Sequence, residues 1–343
     1  MSELTKVLKI PSNGLEIMSN IKQDLINIEA KDFVNLGKIS LYVKNKIHEK
    51  NLKYIIPTKK QRDDILLMLI KYLLTDSPIV AGSHRKKQWE DGWLENLKDY
   101  SKSKNLDSLI PKYFEKYKVQ RLKGDFILTQ SDNFEIGLVS ILQYIIFEKY
   151  FKDSKSVYEF GAGTGHNLLR LREINKGAAL YAMEWAKTGV EIIKNVAKDL
   201  NDNNLYGTVF DNFNPDFDIK LQPNSSIYTF AALEQLGSNT DSLIEYWIAN
   251  KAKIIVNIEP MSEPLDNNEL LQYLSISYFK KRGYLEGYIN KLKYLEKKGR
   301  IVIHEIVRTE IGSLFIEGYS IISWSPAEDT SFDAPIIKGA DSI

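Results

Sequence analysis

The chain contains no cysteine, so disulfides, thiolate metal sites and cysteine nucleophiles are excluded together. It carries almost no net charge. Its 46 Lys and Arg against 45 Asp and Glu leave +1, without the electrostatic footprint of a nucleic-acid-binding or membrane-surface protein. Nucleic acid is therefore not expected as a substrate. Long hydrophobic runs are missing too: the densest, ILLMLIKYLL at 65–74, is interrupted by Lys71 and too short to cross a bilayer. The opening MSELTKVLKIPSNG has neither the apolar stretch nor the small-residue cleavage site of a signal peptide. The expectation is a soluble, cytoplasmic protein with no membrane span. Internal repeats and low-complexity segments are absent. Histidine, the usual proton carrier near neutral pH, occurs only four times, as His48, His84, His166 and His304.

What is present is ordinary globular material, 43% hydrophobic and 27% charged over 343 residues, enough for a sizeable core in two unequal parts. Residues 1 to about 150 show no alternating strand pattern and read as helices joined by polar loops. In TKKQRDDILLMLIKYLLTD, Thr58 and Gln61 have capping-box spacing ahead of an apolar run. QWEDGWLENLKDY brings Trp89, Trp93, Leu94 and Leu97 near one helical face. Core packing is expected of these tryptophans, with a substrate-facing wall as the alternative. NFEIGLVSILQYIIFEKYF, 133–151, predicts a long apolar helix that docks this region onto the C-terminal half, and the polar FKDSKS is the expected linker.

From Ser156 the texture changes to short apolar strands alternating with helices, the pattern of a parallel sheet with crossover helices. SVYEF, ALYAMEW, LYGTVFD, SSIYTFAAL and KIIVNIE read as strands. HNLLRLREI, KTGVEIIKNVAKDL and DSLIEYWIAN read as helices, and a long helical stretch is expected from about Asn268 to Lys298. RIVIHEIVRT and GYSIISW are joined by a connection too short for a crossover helix, so they should pair antiparallel.

The first strand runs into SVYEFGAGTGHN, 156–167. A glycine-rich turn between strand and helix lets backbone approach a ligand closely, and the helix N-terminus favours electron-rich groups. Gly161, Gly163 and Gly165 follow G-x-G-x-G, whereas the dinucleotide fingerprint G-x-G-x-x-G needs a glycine where His166 stands. That spacing speaks against a nicotinamide or flavin cofactor. Glu184, at the end of the second strand, can accept both hydroxyls of a ribose in either cofactor class. The discriminating features are Glu159 inside the first strand, an acid ending the third, and the C-terminal antiparallel pair. An acid inside an apolar strand is costly to bury without a ligand or other partner.

On these residues the C-terminal half resembles the class I S-adenosylmethionine-dependent methyltransferases. YEFGAGTG is similar to their motif I, with Glu159 at its acidic position. The resemblance implies an α/β, Rossmann-like seven-stranded sheet with a C-terminal antiparallel hairpin over residues 131–343, and leaves residues 1–130 as a helical substrate or lid region. It implies S-adenosyl-L-methionine as cofactor, held by Glu159, Gly161, Gly163, Gly165 and His166. In the same way Glu184 is implied to bind the ribose, with Trp185 beside it, and Asp211 to reach the adenine amino group, with Asn212 and Phe213 beside it. His166 then binds or orients rather than carrying protons, and His304, mid-strand, is expected to pack. The phrases VYEFGAGTGHNL, ALEQLG, IEP and GSLFIEGYS together resemble a bacterial group of methyltransferases associated with surface-polysaccharide or natural-product genes.

Ligands of open α/β sheets bind beyond the carboxyl ends of the strands, so SSIYTFAALEQLG and VNIEPM should deliver Glu234 and Glu259 to the cleft. Either would deprotonate an acceptor hydroxyl or hold an amine, Glu234 ahead of Glu259; helix capping or pairing with an arginine is the alternative for both. Arg282, Tyr284, Tyr288 and Tyr319 are candidates for acceptor contact, against an amphipathic surface helix with aromatic core contacts as the plainer account. No metal is predicted, because a third oxygen ligand cannot be named. The expected acceptor is a small or medium-sized molecule or glycan, methylated on a hydroxyl. An amine or a protein lysine is the alternative, with a cofactor-binding adaptor or a nicotinamide oxidoreductase further behind.

Overall fold

The computed structural model describes residues 24–75 and 80–327. The N-terminal part contains β1 (Ile26–Asn27), α1 (Leu41–Lys50), β2 (Lys53–Ile55), α2 (Lys59–Leu73), α3 (Lys86–Ser103), β3 (Val119–Leu122) and β4 (Asp125–Thr129). The helices form where expected. Thr58 and Gln61 complete the capping box of α2, each side chain accepting the other's backbone N–H, at 3.3 and 2.7 Å. The strands correct the all-helical reading of this region. They escape a search for alternation because β1 and β2 have only two and three residues, while all four positions of β3 are buried. The β3–β4 hairpin turns at Lys123 and Gly124, both with positive φ (54° and 75°), the two-residue turn whose twist matches that of paired strands.

α4 (Phe134–Tyr150) is buried on nearly every side, as its continuous apolar sequence predicts. After it come β5 (Ser156–Phe160), α5 (His166–Ile174), β6 (Ala179–Glu184), α6 (Lys187–Asp199), β7 (Leu205–Val209), β8 (Ser226–Phe230), α7 (Asp241–Ala249) and β9 (Ile254–Glu259). The chain ends in α8 (Leu270–Arg282), α9 (Tyr288–Lys297), β10 (Ile301–Val307), β11 (Gly312–Ser313) and β12 (Ser320–Pro326). The large sheet has seven strands in the order β10-β12-β9-β8-β5-β6-β7. Only β12 runs against its neighbours in it, antiparallel to both β9 and β10. The expected 268–298 helix is two, α8 and α9, because Gly283 and Gly287 adopt left-handed φ of 61° and 71° between them.

The connection between β10 and β12 does more than close a hairpin. It lends β11 to the N-terminal sheet, whose order is β1-β2-β4-β3-β11, with Gly312 opposite Arg121 and Ser313 opposite Gln120. FKDSKS is not a free linker either: Phe151 is fully buried, and Asn175 Nδ2 donates to the carbonyls of Phe151 and Ser154 at 2.9 and 2.8 Å. Alternate residues of each strand feed opposite faces of the large sheet. On one, Val157, Leu180, Tyr228 and Ile258 join α4–α6 and the N-terminal Phe33, Leu97 and Tyr100 in a continuous core. On the other, Tyr158, Phe160, Ile227 and Trp324 pack against α7 and α9. No helix among the described residues is long and apolar enough to cross a membrane.

Candidate functional site

β5 delivers the chain into the turn Gly161–Gly165 at the carboxyl edge of the sheet. Gly161 and Gly163 have φ of 77° and 56°, a region costly for residues with a Cβ. A Cβ would stand 2.5 Å from the Cβ of Ala232 at the first position and 3.0 Å from Cζ2 of Trp93 at the second. Glycine thus lets the segment after β8, and α3 from the N-terminal part, close directly on the turn. Between them lies a cleft with about 680 Å³ of empty space, open solvent included. Its floor is Gly161–Thr164, its sides are Glu184–Trp185, Asn212–Phe213 and Ala231–Ala232, and its roof is Trp89, Trp93 and Tyr113.

The cleft sits where the strand order reverses, beside β5 and β8, and the sheet ends in a reversed strand inserted between β9 and β10. This is the class I methyltransferase fold. No protein-family model and no curated protein matches the sequence. Among solved structures the chain is similar to the [4+2]-cyclase SpnF at 13% identity and a TM-score of 0.46, over 73% of this chain and 98% of that one. It is also similar to the N-methyltransferase NodS from Bradyrhizobium japonicum in complex with S-adenosyl-L-homocysteine (11% identity, TM-score 0.44, 68% and 100% of the two chains). An O-methyltransferase from neocarzinostatin biosynthesis in complex with S-adenosylmethionine is a third (13% identity, TM-score 0.38, 70% and 69%).

Of the residues expected to hold the cofactor, Gly161, Gly163, His166, Glu184, Trp185, Asn212 and Phe213 line the cleft. Glu184 is 2% exposed. Its two oxygens accept the N–H groups of Gly163 at 2.7 Å and Ala186 at 2.9 Å. Burial pushes its carboxyl up to about 7, against the pull of these amides. The Trp93 indole N–H approaches the same carboxylate without completing a hydrogen bond. Trp185 and Phe213 stack at 5.6 Å. Four buried polar atoms on the cleft walls lack hydrogen-bond partners among the described residues: Nε1 of Trp89, Nε1 of Trp93, Nε2 of His166 and Oδ1 of Asn212. Burial holds His166 neutral, its pKa lowered to about 3.

Other expected contacts are redirected. Gly165 begins α5 beneath the cleft, where a Cβ would press on Ile193 at 2.8 Å. Asp211 is not part of the cleft lining: its Oδ1 accepts the Phe213 N–H at 2.9 Å and shapes the loop that presents Asn212 and Phe213. Glu259 is fully buried, and its oxygens accept the N–H groups of Ala232 and Leu233, both at 3.1 Å. It braces the segment after β8 instead of facing an acceptor. Tyr288 is also fully buried, its hydroxyl donating to Asn257 Oδ1 at 2.7 Å. His304 does not pack; it is exposed on the sheet edge, 3.0 Å from Ser325 Oγ.

Glu159 lies under the turn, fully buried. Its Oε1 accepts from Asn167 Nδ2 at 2.7 Å, while Oε2 faces the Tyr228 hydroxyl short of hydrogen-bond geometry. Burial lifts this carboxyl from 4.5 to about 8. The folded chain then keeps a proton that the unfolded chain releases above 4.5, so stability should fall as pH rises from about 5 to 8. Glu159→Gln keeps an acceptor for Asn167 and removes the titration. Its melting temperature should depend less steeply on pH over that window, and a slope equal to that of the unaltered protein would mean that Glu159 is already ionised in the fold.

The N-terminal part contributes more to the site than its sequence suggests. Trp93 serves core and roof together, 7% exposed and 5.4 Å from Trp89. Their helical spacing announced a common face, but not what that face covers. Glu90 is unannounced altogether: its oxygens accept the N–H groups of Lys187 and Thr188 at 2.8 and 2.9 Å, capping α6 from another helix. Thr164 Oγ1 donates to the Leu109 carbonyl at 2.6 Å, tying the glycine turn to the same part.

Glu234, Arg282, Tyr284 and Tyr319 do not line the cleft: the Arg282 guanidinium lies 5.3 Å from the Tyr284 ring centre, with Glu234 facing both, while Tyr319 packs on the cleft-lining Phe230 at 5.3 Å. Gln235 lines the cleft and bridges the two places: its Nε2 donates to Glu234 Oε1 at 3.0 Å, and its Oε1 accepts from Arg85 Nη1 at 3.0 Å. Glu234 is half-buried, and burial pushes its carboxyl up to about 7 while Arg282 and Arg85 pull it down. Its charge reaches Tyr284 and Tyr319 in turn, whose hydroxyls are held protonated chiefly by burial.

Proposed function

We propose that the chain is an S-adenosylmethionine-dependent methyltransferase acting on a hydroxyl of a small or medium-sized acceptor. The observation that carries this reading is the cleft wall itself. A backbone cradle that excludes side chains, a buried carboxylate, a stacked aromatic pair and orphaned polar atoms all face one space. These residues fit the cofactor. Glu184 has lone pairs to spare for two ribose hydroxyls, Asn212 Oδ1 can accept from an adenine amino group, and Trp185 with Phe213 offers flat apolar surface.

When bound, such a cofactor supplies an electrophilic methyl group on a sulfonium. The chain's own work is to bind, orient, exclude water and remove a proton. Trp89, Trp93 and Tyr113 roof the cleft. Holding two partners in line lowers the barrier to displacement. Glu234, one side chain from the cleft through Gln235 and poised near neutral pH, is the group to take the acceptor proton. The region 1–130 acts as the lid and acceptor wall, and 131–343 as the cofactor-binding part.

The test is a pair of calorimetric titrations of the full chain, one with S-adenosylhomocysteine and one with NAD. Saturable binding of S-adenosylhomocysteine alone is expected. Binding of NAD alone would overturn the assignment in favour of a nicotinamide enzyme.

A further inference from the structure

Two arginines beside the cleft have no counter-ion among the described residues. Arg282, the last residue of α8, is 5% exposed; its side chain meets only tyrosine hydroxyls among the described residues, Nη1 donating to Tyr278 at 3.1 Å with Tyr72 also within hydrogen-bonding reach, and its Nε is buried without a partner. Its guanidinium lies 5.7 and 5.3 Å from the ring centres of Tyr278 and Tyr284. Arg85, just ahead of α3, donates from Nη1 to Gln235 and from Nε to Gln88 at 3.1 Å, and lies 5.3 Å from the ring centre of Trp89 on the cleft roof. Burial, and behind it the charge of Arg282, depresses Arg85's hold on its proton. The acid facing both is Glu234, and it forms an ion pair with neither.

A buried charge without a partner is expensive, and like charges brought together add to the cost. A guanidinium stacked on aromatic rings presents a planar fork that matches a carboxylate or phosphate. We infer that this cluster is the acceptor site, and that the acceptor carries an oxyanion group, a carboxylate or a phosphate ester, held between Arg282 and Arg85. This rests on the methyltransferase reading. The acceptor's hydroxyl then lies toward Glu234 and the cleft, while Tyr284 and Tyr319 offer walls for a flat or ring-shaped body. The same two charges repel an ammonium group, which disfavours amine and lysine acceptors.

The test titrates the full chain, with S-adenosylhomocysteine present, with three probes of one shape: 4-hydroxybenzoate, 4-hydroxyphenyl phosphate and the neutral 4-hydroxybenzamide. Tryptophan fluorescence reports binding because Arg85 rests on Trp89. At least one anion should saturate the signal, with the amide about tenfold weaker or worse; the tighter anion tells carboxylate from phosphate. Arg282→Gln and Arg85→Gln should each weaken the anion about tenfold and leave the amide and S-adenosylhomocysteine unaffected. Arg85 is only half-buried, so its variant decides the matter if Arg282→Gln does not fold. Equal binding of amide and anions, anion affinity indifferent to Arg85→Gln, or no anion binding by protein that holds S-adenosylhomocysteine would each overturn the inference. Failure of the unaltered chain to bind S-adenosylhomocysteine would instead overturn the function beneath it.

Discussion

Glu184→Ala should weaken S-adenosylhomocysteine binding about a hundredfold or more. Charge-assisted hydrogen bonds are each worth about 1.5–3 kcal/mol, and a ribose offers two hydroxyls to this carboxylate. The substitution also removes the acceptor from the buried N–H groups of Gly163 and Ala186, so the turn that floors the cleft loses its brace as well as its ligand contact. Each stranded donor costs about 1–3 kcal/mol, and a lowered melting temperature should accompany the lost affinity. Because burial holds the carboxyl near 7 and hydroxyl donors favour its charged form, affinity in the unaltered protein should rise with pH through that value. Calorimetry against pH reads both effects. Unchanged affinity in the alanine variant would mean that the ribose is held elsewhere.

Glu234→Gln should lower the rate of methyl transfer about 10²- to 10⁴-fold, the usual worth of a positioned base, while leaving S-adenosylhomocysteine affinity intact. A base acts only when ionised. With its carboxyl raised to about 7 by burial, against the pull of Arg282 and Arg85, activity should be lost as pH falls through 7 and reach a plateau above it. Labelled cofactor incubated with fractionated cell extract, with mass spectrometry of whatever gains a methyl group, supplies both acceptor and assay. A glutamine variant that turns over at the normal rate would remove Glu234 from the chemistry and leave it a neighbour of the arginines.

Local chemistry that repeats along the chain was legible in the sequence. β5 with its glycine turn, the strand–helix alternation and the reversed last strand arise from patterns within a few residues. Side chains whose task depends on a distant backbone were not. Glu259 reads as a cleft acid because it ends a strand, but two N–H groups of the neighbouring segment claim it. Tyr288 lies on a helix rich in tyrosine, yet its hydroxyl is claimed by Asn257. Asp211 sits at the right strand end and caps its own loop. In the N-terminal part the strands are too short, or too evenly buried, to show a period, so only the helices could be read. Arg85 carried no signal at all: its meaning comes from Gln235 and Trp89, which the fold alone brings to it.

The loan of Gly312 and Ser313 to the N-terminal sheet bears on how such a protein can change over time. A substrate-recognition region joined by one linker can be exchanged for another while the catalytic half is kept. Here the second half of the chain returns to complete the first half's sheet, and one apolar core runs through both. If the proposed acceptor site is right, a new acceptor would therefore be reached residue by residue, through positions such as Arg85, Tyr284 and Tyr319, rather than by exchange of a module.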